Sequence, residues 1–272
     1  MTALPELTVA VSTIGARVLQ LAPEQLPPAP GVRFLIVLQL PEPVPEAEAA
    51  ALAAHLQRLA ARPGIAVLRL EGSRGAARSR NAAMAAAETP LLLFADDDQG
   101  FDPAGWQQLR QLFAARPQLD FLCARLRTPE GGWRKPYGPE RIRPVRRLNC
   151  LKLGTPEMAL RLAPVRAAGV QFDPRFGAGG PWPAGDEFIF ASDCLAAGLR
   201  GCHVPVSLGD HPADSSGMAL DRAALAVRVA LFRRAFGAWA PLLRLVFALR
   251  HRRRIGAWRS GLDFVLNRRL RR

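Results

Sequence analysis

Three consecutive carboxylates, Asp96, Asp97 and Asp98, follow the apolar run "PLLLFA" (90–95) and lead into the turn-forming "QGFDP". Partly buried like charges repel one another unless something positive sits among them. Upstream, "SRGAARSRNAA" (73–83) offers Arg74, Arg78 and Arg80 as forked donors to phosphate oxygens. Gly72 and Gly75 let the chain turn tightly there, and a helix starting near Gly75 would add an N-terminus that favours anions. A hard divalent cation such as Mg²⁺ or Mn²⁺ takes oxygen ligands and shares its shell with phosphates. Carboxylates at a strand's end facing basic residues therefore suit a metal-bridged diphosphate. Each stretch also has a plain reading, the first as a solvated acidic loop and the second as the charged face of an alanine-rich helix.

Two further stretches carry titratable groups. "AGDEFIF" (184–190) sets Asp186 beside Glu187, where acids at a helix N-terminus would oppose the dipole. "LGDHPADSSG" (208–217) places His211 beside Asp210 after an apolar run, where a lone histidine reads as a satisfied polar residue, with Ser215 and Ser216 following. Trp182, just before the acid pair, reads as a core aromatic.

These residues need elements to place them. "LTVAVST" (7–13), "VRFLIVLQ" (32–39), "IAVLRL" (65–70) and "PLLLFA" (90–95) are short apolar runs that suit buried strands. Between them, 45–61 and 75–88 are rich in helix formers. Alternating strands and helices predict an α/β fold with a mostly parallel sheet, and ligands in such sheets bind beyond the carboxyl ends of the strands. Residues 12–17, 71–81 and 96–98 all reach that edge. A fifth strand is expected at 119–128, a long polar loop at 131–144, and a mixture of helix, glycine-rich loop, helix and strand over 154–206.

At this point the motifs resemble the family-two glycosyltransferases with the GT-A fold. "GSRGAARSRNAA", then a strand and "ADDDQGFDP", is similar to their nucleotide-sugar-binding half, and "FDPRFGAGGPWPAGDEFIFASDCLAAGLRGCHVPV" to their acceptor half. The resemblance covers roughly residues 7–217. It implies a GT-A-like, Rossmann-related sheet flanked by helices, with a donor half of about 1–128 and an acceptor half of about 129–217. It also implies a nucleotide-sugar donor, UDP-linked in the family's commonest form, and a saccharide or lipid-linked acceptor of cell-surface polysaccharide assembly. Asp96 would approach the ribose or help hold Mn²⁺ or Mg²⁺, Asp98 would coordinate the metal, and His211 would be a further ligand. Ser12, Thr13, Arg74, Arg78, Asn81 and Asp97 would line the donor site, and Trp182 and Gly185 the acceptor site. Glu187 would be the general base with Asp186 its neighbour, in a displacement that inverts the anomeric carbon. One departure stands out: Gln39 occupies the place where the family's second strand often ends in an acidic turn against the nucleobase.

The charge completes the picture. Of a formal +14, thirteen arginines from Arg228 to Arg272 against the single acid Asp263 leave only +2 for the rest of the chain. No nucleic-acid-binding motif accompanies this charge, so nucleic acid is not the expected partner. The apolar run 235–249 is too short and too interrupted to span a bilayer, which needs about 20 apolar residues. Residues 218–272 instead read as a helical basic tail, with Trp258, Leu262 and Val265 at helical spacing, suited to an anionic inner membrane surface. That implies a cytoplasmic protein held peripherally on the membrane. Cys123, Cys150, Cys194 and Cys202 show no ligand or disulfide spacing and read as reduced thiols. The N-terminus lacks the basic region of a signal peptide. Two other classes compete. A haloacid-dehalogenase-type phosphatase would want D-x-D-x-T after the first strand, where this chain has "VSTIGAR"; a non-catalytic membrane-binding protein on a degenerate transferase fold would have no use for a base.

Overall fold

In the computed structural model, residues 3–212, 220–255 and 258–266 are described. The chain runs β1 (Leu7–Ile14), β2 (Val32–Leu40), α1 (Glu46–Ala60), β3 (Ile65–Glu71), α2 (Ala76–Ala86), β4 (Leu91–Asp96), α3 (Pro103–Ala115) and β5 (Phe121–Arg127). There follow β6 (Arg143–Pro144), β7 (Met158–Arg161), α4 (Leu162–Ala167), α5 (Asp186–Ala196) and β8 (Gly201–Asp210). Four helices close it: α6 (Arg222–Phe236), α7 (Ala240–Arg250), α8 (Arg252–Ile255) and α9 (Trp258–Leu266).

One eight-stranded sheet runs in the order β3-β2-β1-β4-β7-β5-β8-β6. β1 to β4 pair in parallel, and β7 is an antiparallel insert between β4 and β5. β5 and β8 are again parallel. The expected mostly parallel sheet is therefore present, and the carboxyl ends of β1, β3, β4, β5 and β8 share one edge.

The strands read as continuous apolar runs because both faces are covered. Along β2, Phe34, Ile36, Leu38 and Leu40 enter one core with Leu52, Leu56 and Leu59 of α1 and Trp106, Leu109 and Phe113 of α3. Leu35 and Val37 turn to the other core, with Ala77, Ala83 and Met84 of α2 and Phe188, Ile189 and Phe190 of α5. Asp102 starts α3 by accepting from the Ala104 amide at 3.0 Å, with Pro103 in the first turn.

The C-terminal helices are not detached from this body. Val227 and Leu231 of α6 belong to the second core. Arg234 donates to Asp173 at 3.1 Å and to Asp193 at 2.7 Å. With Arg175 bonded on its other side, Asp173 is held down at about 2. Outside this contact, Leu225, Val229, Phe232, Ala240 and Phe264 form a small separate core. α7 presents an apolar row to solvent: Trp239 ahead of it, then Leu242, Leu245, Val246 and Leu249, exposed by 42–69%. Among the described residues no helix is long and apolar enough to cross a membrane. The four cysteines are free, three of them buried.

Candidate functional site

β4 delivers its last residue, Asp96, to the shared sheet edge, in register with Ser12 of β1. The three aspartates then part ways. Asp97 turns inward, accepting from Thr13 Oγ1 at 2.7 Å and Arg17 Nε at 3.0 Å. These bonds fasten β1 to the turn. Asp96 and Asp98 face His211, whose Nε2 lies 3.3 Å from a carboxylate oxygen of each.

One ligand atom each from Asp96, Asp98 and His211 fall within 4.8 Å of one another. Two carboxylate oxygens and an imidazole suit a hard or borderline divalent ion. His211 Nδ1 stands 3.0 Å from the Pro212 carbonyl, the outer-shell bond that orients an imidazole and leaves Nε2 for a metal. The electrostatics agree: burial works against charge on Asp96, yet the His211 bond and the Arg80 charge outweigh it and hold this carboxyl below its usual range. Burial likewise opposes protonation of His211, but the Asp96 and Pro212 bonds hold its pKa above the ordinary histidine value. Ser215 and Ser216 lie outside the described residues.

The glycine motifs interlock. Gly75, at φ +119°, precedes α2, and the Ala76 amide donates to the Ala178 carbonyl at 2.8 Å. Gly179, at φ +81°, passes so close that a Cβ there would stand 2.9 Å from Gly75 Cα. Only glycine meets both demands. Gln39 is buried and donates to Ser73 Oγ at 3.0 Å and the Gly75 carbonyl at 3.1 Å, bracing the same loop. Ser79 donates to Ser12 at 2.9 Å, tying α2 to β1.

The arginines divide by position. Arg74 and Arg78 are exposed beside the start of α2. Arg80 is buried, donates to Asp186 and lies 3.8 Å from Asp96. Asn81 was expected to line the donor site; its amide donates to the Phe172 carbonyl and accepts from the Phe172 amide, both at 2.8 Å, so it clamps the two halves together.

The acid pair is asymmetric. Asp186 is 3% exposed, fits against Gly177, where a Cβ would crowd its carboxylate at 2.7 Å, and is neutralised by Arg80. Glu187 is half-buried and makes no ion pair among the described residues. Burial first, and the charge of Asp186 second, push its pKa up to about 8. A carboxyl poised near neutrality in a cleft is a group suited to proton transfer. Trp182 is half-buried, packs against the second core and donates its amide to the Arg175 carbonyl at 2.9 Å. Gly185, expected at the acceptor, is buried instead at the start of α5 with φ +85°, where a Cβ would strike Leu231 of α6.

Sequence reasoning left out Arg17, which holds Asp97, and the bridging role of Arg80. The partner of Arg80 lies 106 residues away, and no local pattern announces it.

Comparison with known proteins adds three findings. Residues 46–169 match the family model described as Glycosyl transferase family 2. No curated protein matches the chain. Among solved structures, S. aureus TarS 1–349 superposes with a TM-score of 0.57 at 15% identity, over 90% of this chain and 71% of that one. The same TarS fragment in complex with UDP-GlcNAc gives 0.58 at 14% identity, over 90% and 72%. A longer S. aureus TarS chain gives 0.56 at 15% identity, with 43% of its length covered. These likenesses establish the fold, and the family expected from the motifs is the family matched.

Proposed function

We propose that this chain, a family-2 glycosyltransferase by its matched segment and its GT-A-like fold, moves a sugar from a UDP-sugar to a saccharide or lipid-linked saccharide acceptor with inversion. The observation that carries the reading is the pairing of a metal-competent Asp96/Asp98/His211 cluster with a Glu187 that has no counter-ion, joined through Arg80. That the similar TarS fragment was crystallised with UDP-GlcNAc and with UDP supports a uridine nucleotide as the donor's leaving group.

Asp96, Asp98 and His211 would hold Mn²⁺ or Mg²⁺, which supplies positive charge against a diphosphate. Arg74 and Arg78 beside the start of α2 add cationic donors, and Ser12 and Thr13 shape the edge of β1. Glu187 takes the proton of the acceptor hydroxyl as that oxygen bonds to the anomeric carbon and the bond to the nucleoside diphosphate breaks. Attack from the face opposite the leaving group inverts that carbon. Asp186, fixed by Arg80, is not free to accept the proton; it keeps Glu187's carboxyl high and in place.

The apolar row on α7 with the surrounding arginines is read as a membrane-surface anchor, placing the enzyme on the cytoplasmic face of an anionic membrane. It suits an acceptor carried on lipid in surface-polysaccharide assembly. The deciding experiment is nucleotide release from a panel of UDP-, GDP-, CMP- and dTDP-sugars with Mn²⁺ or EDTA, paired with thermal-shift binding of each donor. Metal-dependent binding and release of UDP from a UDP-sugar, lost in Asp98→Asn, is the expected result. Folded protein that neither binds nor turns over any donor overturns the reading.

A further inference from the structure

A cavity of about 520 Å³ is lined chiefly by Arg125, Trp133, Arg134, Lys135, Tyr137 and Glu140. Its size falls within the range of small-ligand sites, roughly 300–1,000 Å³. It shares a wall with the cluster: Arg134 Nε donates to the Pro212 carbonyl at 3.0 Å, and Pro212 is the residue whose carbonyl orients His211. The polar loop 131–144, which has no regular pattern in sequence, forms its floor and rim.

The site is built, not incidental. Arg125 is 5% exposed and is held by the Gly138 and Pro139 carbonyls at 3.0 and 2.8 Å. Its guanidinium lies 5.2 Å from the Trp133 ring centroid and 5.6 Å from that of Tyr137. Those rings meet edge to face at 5.8 Å. Tyr137 is pinned at its hydroxyl, donating to Glu157 at 2.7 Å and accepting from the Leu126 amide at 2.9 Å. Lys135 pairs with Glu157 at 2.7 Å. Arg125 also pairs with Glu140 at 3.2 Å, which leaves half-buried Arg134 as the lining cation with no carboxylate partner among the described residues. Trp133 is 39% exposed, with the Arg127 guanidinium 4.5 Å from its ring centroid.

An accessible aromatic ring offers a stacking face to a sugar. Guanidinium forks beside it fit a carboxylate or a phosphate. Resting on the transferase reading, we infer that this cavity receives the acceptor and selects an anionic one, a saccharide bearing a phosphate or carboxylate group. A neutral glycan would leave the Arg134 guanidinium partly desolvated without a counter-charge, which is how a site built for charge rejects an uncharged analogue.

The test is direct binding to the full-length protein in the absence of nucleotide, read by saturation-transfer NMR and calorimetry. The probes are D-glucose 6-phosphate, D-glucuronate, inorganic phosphate and methyl D-glucoside. Both anionic sugars should bind, with methyl glucoside and phosphate at least about tenfold weaker, since each lacks one half of the recognition. Trp133→Ala and Arg134→Gln, checked for unchanged melting, should each weaken the anionic sugars by about tenfold. Adding UDP with Mn²⁺ should not displace them. Equal binding of methyl glucoside, no binding of any sugar, indifference to both substitutions, or displacement by UDP each overturns the assignment. Displacement would make the cavity a donor subsite. Anionic sugars that bind while no nucleotide does would instead sink the transferase reading, and with it the acceptor role, leaving the cavity an anionic-saccharide site only.

Discussion

Arg80 of α2 and Asp186 of α5 meet inside the protein, and the same guanidinium stands 3.8 Å from Asp96 at the end of β4. One buried cation thus answers carboxylates from both halves of the chain. It aligns the helix carrying the proposed base with the strand carrying the proposed metal ligand.

Removing that cation should cost more than removing the pair. Arg80→Met leaves Asp186 buried and unpaired, a loss of about 3–5 kcal/mol, or roughly 6–20 °C of melting temperature. The double change Arg80→Met with Asp186→Leu should recover much of it, because no charge then remains buried. Thermal melts of the four proteins of the cycle test this; a double variant as unstable as the sum of the single ones would refute it.

Glu187→Gln should slow sugar transfer by about 10²–10⁴-fold while leaving donor binding intact. It should also stabilise the protein in one pH window. Because the folded pKa of Glu187 is raised to about 8 from an ordinary 4.5, ionising it costs stability as pH climbs through that interval. Glutamine escapes that cost. Melting temperatures of variant and parent should coincide near pH 4 and diverge by several degrees, variant higher, by pH 8. Curves that stay parallel would show an ordinary carboxyl.

The aspartates should separate by role. Asp98→Asn and His211→Ala should abolish the thermal shift on adding Mn²⁺ with little loss of intrinsic stability. Asp97→Asn should lower stability by about 1–2 kcal/mol, having lost its charged bonds to Thr13 and Arg17, yet keep the Mn²⁺ response. A Mn²⁺ response that survives Asp98→Asn and disappears with Asp97→Asn would reverse the assignment.

The α7 row should be the membrane contact. Sedimentation with phosphatidylglycerol-containing vesicles should carry the protein down, and pure phosphatidylcholine vesicles should not. Replacing Leu242, Val246 and Leu249 by Ser should abolish sedimentation without altering donor binding in solution. Retained sedimentation would move the contact elsewhere.

Much of this was legible because parallel sheets write themselves as apolar runs. β2 and β4 are buried on both faces, and their composition shows it. β7 was not legible: four residues, "MALR", inserted antiparallel between β4 and β5, are held by pairings distant in sequence. At the site, Asp96 and Asp98 stood out because charge beside an apolar run is unusual, and Glu187 through the resemblance of its motif. Asn81 and Gly185 looked alike as motif members, yet their contacts, Phe172 and Leu231, come from parts of the chain the motifs do not contain. Local spacing shows that a residue is constrained, not which neighbour constrains it.

The interlock of Gly75 with Gly179 has a consequence for anyone recombining this chain with a relative. A crossover between residues 82 and 170 would pair one parent's α2 entry with the other parent's 177–180 loop. A Cβ at position 179 would stand 2.9 Å from Gly75 Cα, so a parent without that glycine must shift the backbone at this seam. Exchanging acceptor specificity by grafting should therefore move the 131–144 loop alone and leave both glycine segments from one parent. The fold tolerates new loops at its rim far better than a new partner at this seam.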